Sequence, residues 1–255
     1  MRDLNNKLAW ITGAGTGIGA SGAEKLASAG CRVVLSGRRA EPLEETAGKI
    51  RAAGGKASVE LLDVADRDAV QSVGEKIIGE HGAVDILVNN AGINVPRRHW
   101  TDVSHDDWDA VIQIDLNGAF YCTQAVLPGM RAQREGLVIN VSSWAGVRVS
   151  FLTGPAYTAA KHAMNAMTES LNMEECINGI RGCAICPGEV STPIMDKRPI
   201  PMSAEDRARM VQSEDLGDTI AFVASLPAHV CVNQLVISPT WNRGYVRYHE
   251  QQGPE

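Results

Sequence analysis

The sequence has no long apolar run, no excess of positive charge, few aromatic residues and no repeated cysteine motif. Spanning a bilayer takes roughly 20 apolar residues in a row, and no run approaches that length. The opening segment, residues 1–7, is polar and lacks the apolar centre of a secretory signal, so the expected compartment is the cytoplasm. Its 24 basic and 30 acidic side chains leave a net charge of -6, which gives no reason to expect nucleic acid or an anionic membrane as a partner. Six cysteines are scattered over 255 residues. Cys183 and Cys186 form C-x-x-C, but they sit in a strand-like run and no second pair completes a metal site. Core packing is therefore their expected role, and no metal is expected.

What is present is a regular alternation of two patterns. Short apolar runs at 7–12, 31–36, 56–62, 84–88, 137–141, 180–186 and 234–238 read as strands. Helical patterns fill the intervals, including 41–53, 66–81, 106–132, 155–177 and 214–225. Several strands are apolar on both faces, as in a parallel sheet covered on each side. The expectation is a doubly wound α/β fold, a seven-stranded parallel sheet with helices on both faces. It forms one domain over residues 1–240, followed by a tail at 241–255. Residues 189–213 are polar and broken by Pro193, Pro199 and Pro201; directly after a strand, such a stretch reads as a lid.

The chemistry-bearing motifs fall at strand ends. After the first strand comes G-A-G-T-G-I-G, with Gly13, Gly15, Thr16, Gly17, Ile18 and Gly19, and then a helix. Strand, glycine turn and helix together form a nucleotide-binding signal, because small residues admit a pyrophosphate to the helix N-terminus. The spacing departs from strict G-x-G-x-x-G, and no Lys followed by Ser or Thr is present for a P-loop. After the second strand, an acidic residue would hold the ribose hydroxyls of NAD; here the sequence reads Ser36-Gly37-Arg38-Arg39. Two guanidinium groups match a 2′-phosphate, hence NADP rather than NAD, unless they are solvated loop charges. Asp63 and Val64 close the third strand, where Asp63 either accepts from an adenine amino group or caps the strand end. Asn89-Asn90-Ala91-Gly92 follows the fourth strand. Its amides can lock neighbouring strands, and its small residues leave room for a flat ring.

The organising stretch is Ser142 to Lys161. Tyr157 and Lys161 are four apart in an Ala-rich helix, hence on one face. An ammonium within roughly 4–6 Å lowers a phenol's pKa, so Lys161 is expected to make Tyr157 a general acid–base, with Ser143 holding a carbonyl oxygen beside it. Asn117, in I-D-L-N-G-A-F, stands with Gly118 inside a helical pattern that neither residue favours. A local break is expected there.

With T-G-A-G-T-G-I-G, the Asp63 strand end, N-N-A-G, Asn117, Ser143, Y-T-A-A-K and P-G-E-V-S-T-P in place, the chain resembles the short-chain dehydrogenase/reductase family over about 230 residues. The resemblance implies a catalytic tetrad of Asn117, Ser143, Tyr157 and Lys161. Within it, Asn117 holds a water that links Lys161 to solvent, and Lys161 bonds the nicotinamide ribose. It further implies that Pro187, Gly188, Val190 and Thr192 border the nicotinamide, with Val190 and Thr192 flanking its carboxamide, and that Asn90 lies near the cofactor. The usual assembly is a homotetramer with the helices at 106–132 and 155–177 at its interfaces. The Ser-to-Tyr interval is one residue longer than in many members, which leaves Ser142 as an alternative to Ser143. G-R-R after strand two and the end of the chain are similar to NADP-dependent 3-hydroxy acid dehydrogenases within the family. The expected reaction is hydride transfer between NADP(H) and a small secondary alcohol or hydroxy acid and its carbonyl. Reduction of a larger ketone, or a cofactor-binding regulatory role, are the alternatives. A small acidic substrate needs a cation, for which Arg148, Lys197, Arg198 and Arg243 from a neighbouring chain's tail are candidates. The Trp, Tyr and Arg content of that tail is that of an interface.

Overall fold

The computed structural model describes residues 1–193, 195, 202–243 and 245–246. Seven strands make one sheet: β1 (Leu8–Thr12), β2 (Arg32–Gly37), β3 (Lys56–Leu61), β4 (Ile86–Asn89), β5 (Gly136–Val141), β6 (Ile180–Pro187) and β9 (Gln234–Ile237). Their order is β3-β2-β1-β4-β5-β6-β9, and every pairing is parallel. The chain winds outward from β1 through β2 to β3, then crosses back to lay β4 on the other side of β1. That reversal opens a crevice at the strands' C-terminal ends, where open sheets of this kind bind ligands.

The apolar runs explain the layers. Successive side chains in a strand point to opposite faces, so Ile11, Val33, Val88 and Ile139 belong to one core and Trp10, Val34, Leu87 and Val138 to the other. The first core is closed by α1 (Gly17–Ser28), α2 (Ala40–Ala52) and α8 (Ser213–Ser225) through Leu26, Ile50 and Ile220. The second is closed by α3 (Arg67–His81) and α5 (Gly118–Gln133) through Val70, Ile77, Val126 and Met130. Trp10 is fully buried, and its Nε1 donates to Ser36 Oγ at 2.9 Å. Cys183 and Cys186 are buried and unbridged, and burial pushes the Cys183 thiol up to about 12. Among the described residues, no helix is long and apolar enough to cross a membrane, and no group of three His, Cys, Asp or Glu is placed to hold a metal.

Three details add to the sequence expectation, the first of them the local break expected at 117–118. The long helix at 106–132 is three pieces: α4 (His105–Ile112), a π-helical segment Gln113–Asn117, and α5. Gly118 follows that segment because a Cβ there would lie 2.7 Å from Val64 Cγ2. Residues 189–213 include two short paired strands, β7 (Val190–Ser191) and β8 (Val211–Gln212), with α7 (Ala204–Ala208) between them. The helix α6 (Pro155–Glu175) starts with Pro155 at its first turn, directly after Gly154 at φ +74°. A Cβ on Gly154 would lie 2.0 Å from Arg98 O, so only glycine fits this entry.

A buried polar chain joins the elements behind the site. Asn89 Nδ2 donates to Asn140 Oδ1 at 2.8 Å and to Thr123 Oγ1 at 3.0 Å, and Asn140 Nδ2 donates to Thr168 Oγ1 at 2.8 Å. It ties β4 and β5 to α5 and α6, so the amides at 89 and 140 fix how the two halves of the site meet. Asn140→Leu is expected to strand these donors and acceptors and to lower the unfolding free energy by about 2–3 kcal/mol, as read from urea denaturation.

Candidate active site

A cleft of about 1560 Å³ lies along the C-terminal edge of the sheet. Its first wall is the turn after β1. Gly13 takes φ +64°, and a Cβ on it would lie 2.8 Å from Asn90 Nδ2. Asn90 spans the gap between β4 and β1: its Nδ2 donates to Thr12 O at 3.0 Å and Gly13 O at 3.1 Å. Thr12 Oγ1 accepts in return from the backbone N–H groups of Asn90 and Ala91, both at 3.1 Å. Gly17 has φ +59°, and a Cβ there would come within 3.2 Å of Thr192 Cγ2. Thr16 occupies the N-cap of α1, but its hydroxyl makes no capping bond. The first N–H groups of α1 thus have no side-chain cap, at a helix end that favours negative charge.

Gly15, Thr16, Gly17 and Ile18 line this wall, but Gly19 does not. Gly19, expected at the cofactor, is instead packed behind the turn. A Cβ on it would stand 2.4 Å from both Gly13 O and Asn90 Nδ2, so its bare backbone is what lets α1 sit against the turn.

Arg38, Arg39, Asp63 and Val64 line the next stretch of the cleft. Arg38 Nη1 is 3.9 Å from Asp63 Oδ2, and both side chains are exposed. Asp63 Oδ1 accepts from Ala65 N at 3.0 Å, so it caps its strand end while its other oxygen faces the cleft residue Arg38.

The far end holds Ser143, Tyr157 and Lys161 together, beside Ala91, Gly92, Pro187, Gly188, Val190 and Thr192. Lys161 Nζ lies 5.4 Å from the centre of the Tyr157 ring. The Ser143 hydroxyl stands near enough to Tyr157 to pull its pKa down, and it accepts from Ala145 N at 3.1 Å. Ser142 is buried and donates to Lys161 O at 3.2 Å, which makes it a brace for α6. Ser143, not Ser142, is the hydroxyl beside the phenol.

Two residues stand differently from the expectation here. Asn117 is absent from the cleft wall; its Nδ2 donates to Gln113 Oε1 at 2.7 Å, and Gln113 Nε2 donates to Ala65 O at 2.8 Å. It helps dock the π segment on the loop after β3. The residue beside Lys161 is Asp115, fully buried, with Oδ2 3.3 Å from Lys161 Nζ and Oδ1 accepting from Ile93 N at 2.7 Å. Lys161 Nζ also donates to Val141 O at 3.1 Å. Gly92 makes space for this pair: a Cβ there would be 3.2 Å from Asp115 Oδ2 and 3.5 Å from Lys161 Nζ.

The second difference is the direction of the Tyr157 shift. Burial raises the phenol above the ordinary tyrosine value; Lys161 and Ser143 pull it down, Asp115 pushes it up, and the balance is upward. For Lys161, burial acts to lower the ammonium's pKa, but Asp115 and Tyr157 together outweigh it and the balance is again upward. Burial raises Asp115 as well, against the pull of Lys161.

The cations expected for an acidic substrate are only partly available. Arg243 reaches its own chain's cleft and is held by Glu189, with Nε 2.8 Å from Oε2 and a second, shorter bond from Nη2 to Oε1. Trp144 and Tyr245 of the same chain pack 5.9 Å apart. The described part of the tail is thus folded onto its own chain's cleft. Arg148 is exposed at the cleft mouth, with its guanidinium 5.7 Å from the Trp144 ring centre. Lys197 and Arg198 lie outside the described residues.

Asp115, Thr12 and Glu189 lie inside the motifs, but the motifs assign them no role. A signal for Asp115 was nevertheless present: Val111, Asp115, Ala119, Cys122 and Val126 recur at helical spacing and all are buried, so position 115, not 117, belongs to the inward stripe. For the glycine turn, Gly19→Val is expected to force α1 away from Gly13 and to lower stability by about 2 kcal/mol or more, measured by thermal unfolding.

Comparison with known proteins agrees with this geometry. The family model for short chain dehydrogenases matches residues 7–201. An uncharacterized oxidoreductase of Staphylococcus saprophyticus is 34% identical over 241 residues, covering 94% of this chain and 100% of that protein. The uncharacterized oxidoreductase YxbG of Bacillus subtilis is 38% identical over 197 residues, covering 77% of this chain and 71% of that one. A metagenomic short-chain oxidoreductase solved in complex with NADP superposes with a TM-score of 0.82 at 30% identity, covering 94% of this chain and 100% of that chain. A serine dehydrogenase in closed form, complexed with NADP+, gives 0.81 at 30% identity over 91% of this chain and 94% of that chain. Fold, site and relatives converge: the chain belongs to the short-chain dehydrogenase/reductase family and is an oxidoreductase acting on CH–OH groups.

Proposed function

We propose that this protein interconverts a small secondary alcohol or hydroxy acid and its carbonyl with NADP(H). The observation that carries the reading is the meeting of Tyr157, Lys161 and Ser143 at one end of a cleft whose other end holds the glycine turn and Arg38. The residues present fit a dinucleotide. Gly13 and Gly17 adopt left-handed conformations, and the α1 N-terminus carries no side-chain cap. Arg38 and Arg39 are the residues for a 2′-phosphate, and Asp63 for the adenine end. Ala91, Gly92, Pro187, Gly188, Val190 and Thr192 border the place for the nicotinamide. When bound, that group supplies or takes up the hydride.

The chain's own residues handle the proton. In reduction, the Tyr157 hydroxyl gives its proton to the substrate oxygen as the carbonyl carbon gains hydride, and the resulting phenolate is stabilised by Lys161. In oxidation, the phenolate takes the proton from the substrate hydroxyl. Ser143 bonds the same oxygen and fixes its distance from the phenol. The stretch 189–213 serves as the lid, and residues 1–240 act as one catalytic domain. Assembly as a homotetramer is supported by apolar side chains left outward on α5 and α6, where Phe120 is 46% and Met173 75% exposed.

A hydroxy acid is favoured by Arg148 at the cleft mouth and by the likeness to a serine dehydrogenase. A second reading, an apolar or carrier-bound ketone, is favoured by Val149, Phe151 and Leu152, which line the mouth and are 84%, 87% and 48% exposed. NADPH oxidation with free keto acids beside cyclic and long-chain ketones separates the two, since only the true class saturates.

Tyr157→Phe is expected to retain NADPH binding and to lose about 100-fold or more in turnover; near-normal turnover would refute the assignment. Arg38→Ala is expected to weaken NADPH by about 10- to 100-fold, the worth of a charged hydrogen bond, while leaving NADH nearly unchanged. Equal losses for both cofactors would contradict the 2′-phosphate role.

A further inference from the structure

The carboxylate of Asp115 is a fully buried charge in the cleft that the proposed chemistry does not use. It is fully buried, which is costly for a carboxylate unless it is paired. Its Oδ1 is anchored by Ile93 N–H, whereas its Oδ2 accepts no hydrogen bond from the described residues and faces Lys161 Nζ at 3.3 Å. The surrounding fold is shaped to admit it: Gly92 leaves out the Cβ that would crowd both charged groups, and the π segment carries position 115 to the lysine.

We infer that Asp115 is a positioning residue for the Tyr157–Lys161 pair, holding Lys161 in place and keeping Tyr157 in its protonated, proton-donating form near neutral pH. The inference rests on the proposed reaction and deepens it, because it sets the pH at which the site passes from reduction-competent to oxidation-competent.

The sign follows from charge. A lone ammonium beside a phenol favours the phenolate and lowers its pKa. A carboxylate paired with that ammonium makes the two nearly neutral as seen from the ring, so much of the lowering is cancelled. The upward direction found for Tyr157 has Asp115 among its causes. Other groups facing the pair do not reproduce this effect. From β6 the Cys186 thiol is the further titratable neighbour of Lys161. Arg98, His99 and Arg148 line the cleft mouth, and cations there would favour the phenolate instead. Glu189 is tied to Arg243. A protonated Tyr157 suits carbonyl reduction, whose proton it donates; alcohol oxidation needs the phenolate and therefore needs higher pH.

The test is an ultraviolet titration of tyrosine ionisation in the cofactor-free protein, with the Tyr157→Phe protein subtracted so that only this phenol is read. In Asp115→Asn the midpoint is expected to fall by about one pH unit or more. The rising limb of kcat/KM for alcohol oxidation against pH is expected to move the same way. Asp115→Ser, a smaller neutral side chain, should act in the same direction. An unmoved midpoint in either folded variant overturns the inference. A measurement on the wild-type protein guards against variants that do not fold. The carboxyl carbon resonance of Asp115 should report an ionised group at neutral pH, and a protonated one there would also overturn it. The underlying reaction fails separately: it falls if Tyr157→Phe keeps its turnover, whereas an inactive Tyr157→Phe with an unmoved Asp115→Asn midpoint sinks only the role of Asp115.

Discussion

The clamp between β1 and β4 is the contact from which the site is built. Two strands that diverge in their connections must still be held side by side at their C-terminal ends. Thr12 and Asn90 do this with a reciprocal set of bonds, hydroxyl to amide N–H groups in one direction and carboxamide to carbonyls in the other. Each bond is worth about 1 kcal/mol net in isolation, but the set fixes the backbone of Gly13, and Gly13 in turn sets where α1 begins. Gly19 can then lie against the turn only because it has no side chain. The cleft is thus the consequence of one junction, with glycines placed where any Cβ would push it apart.

At the other end of the cleft, electrostatics replaces packing. Lys161 is nearly fully buried and yet charged, which requires compensation. Val141 O and Asp115 provide it. A buried pair of this kind adds little to stability, since desolvation offsets most of the attraction. Its value lies in position: the lysine has a fixed place under the tyrosine ring before any ligand arrives.

The strand pattern was legible in the sequence because seven short apolar runs are separated by helical spacing, and all seven form the sheet in the expected order along the chain. The glycine turn, N-N-A-G, Ser143, Tyr157 and Lys161 were legible because their residue types are unusual at strand ends and helix starts. Position 115 was not, because Asn117-Gly118, as poor helix formers, are the more conspicuous residues although Asp115 is the one turned inward. A π segment changes which residue faces inward by adding one to the turn, and the buried stripe through Val111, Asp115 and Ala119 was the better guide. The upward shift at Tyr157 was hidden for a different reason: sequence shows that a lysine is near but not that the phenol is partly buried, nor that a carboxylate shares the lysine. The association of Arg243 with Glu189 was equally invisible, since the two lie 54 positions apart.

The central claim is that one continuous cleft seats a nicotinamide dinucleotide with its reactive ring beside Tyr157 and Lys161. A crystal structure of the protein grown with NADP+ tests it most directly. The 2′-phosphate is expected at Arg38, the pyrophosphate at the start of α1, and the nicotinamide ribose on Lys161, with Asp115 still paired to that lysine. A nicotinamide ring lying away from Tyr157, or Lys161 released from Asp115 and supported by Asn117, would contradict it.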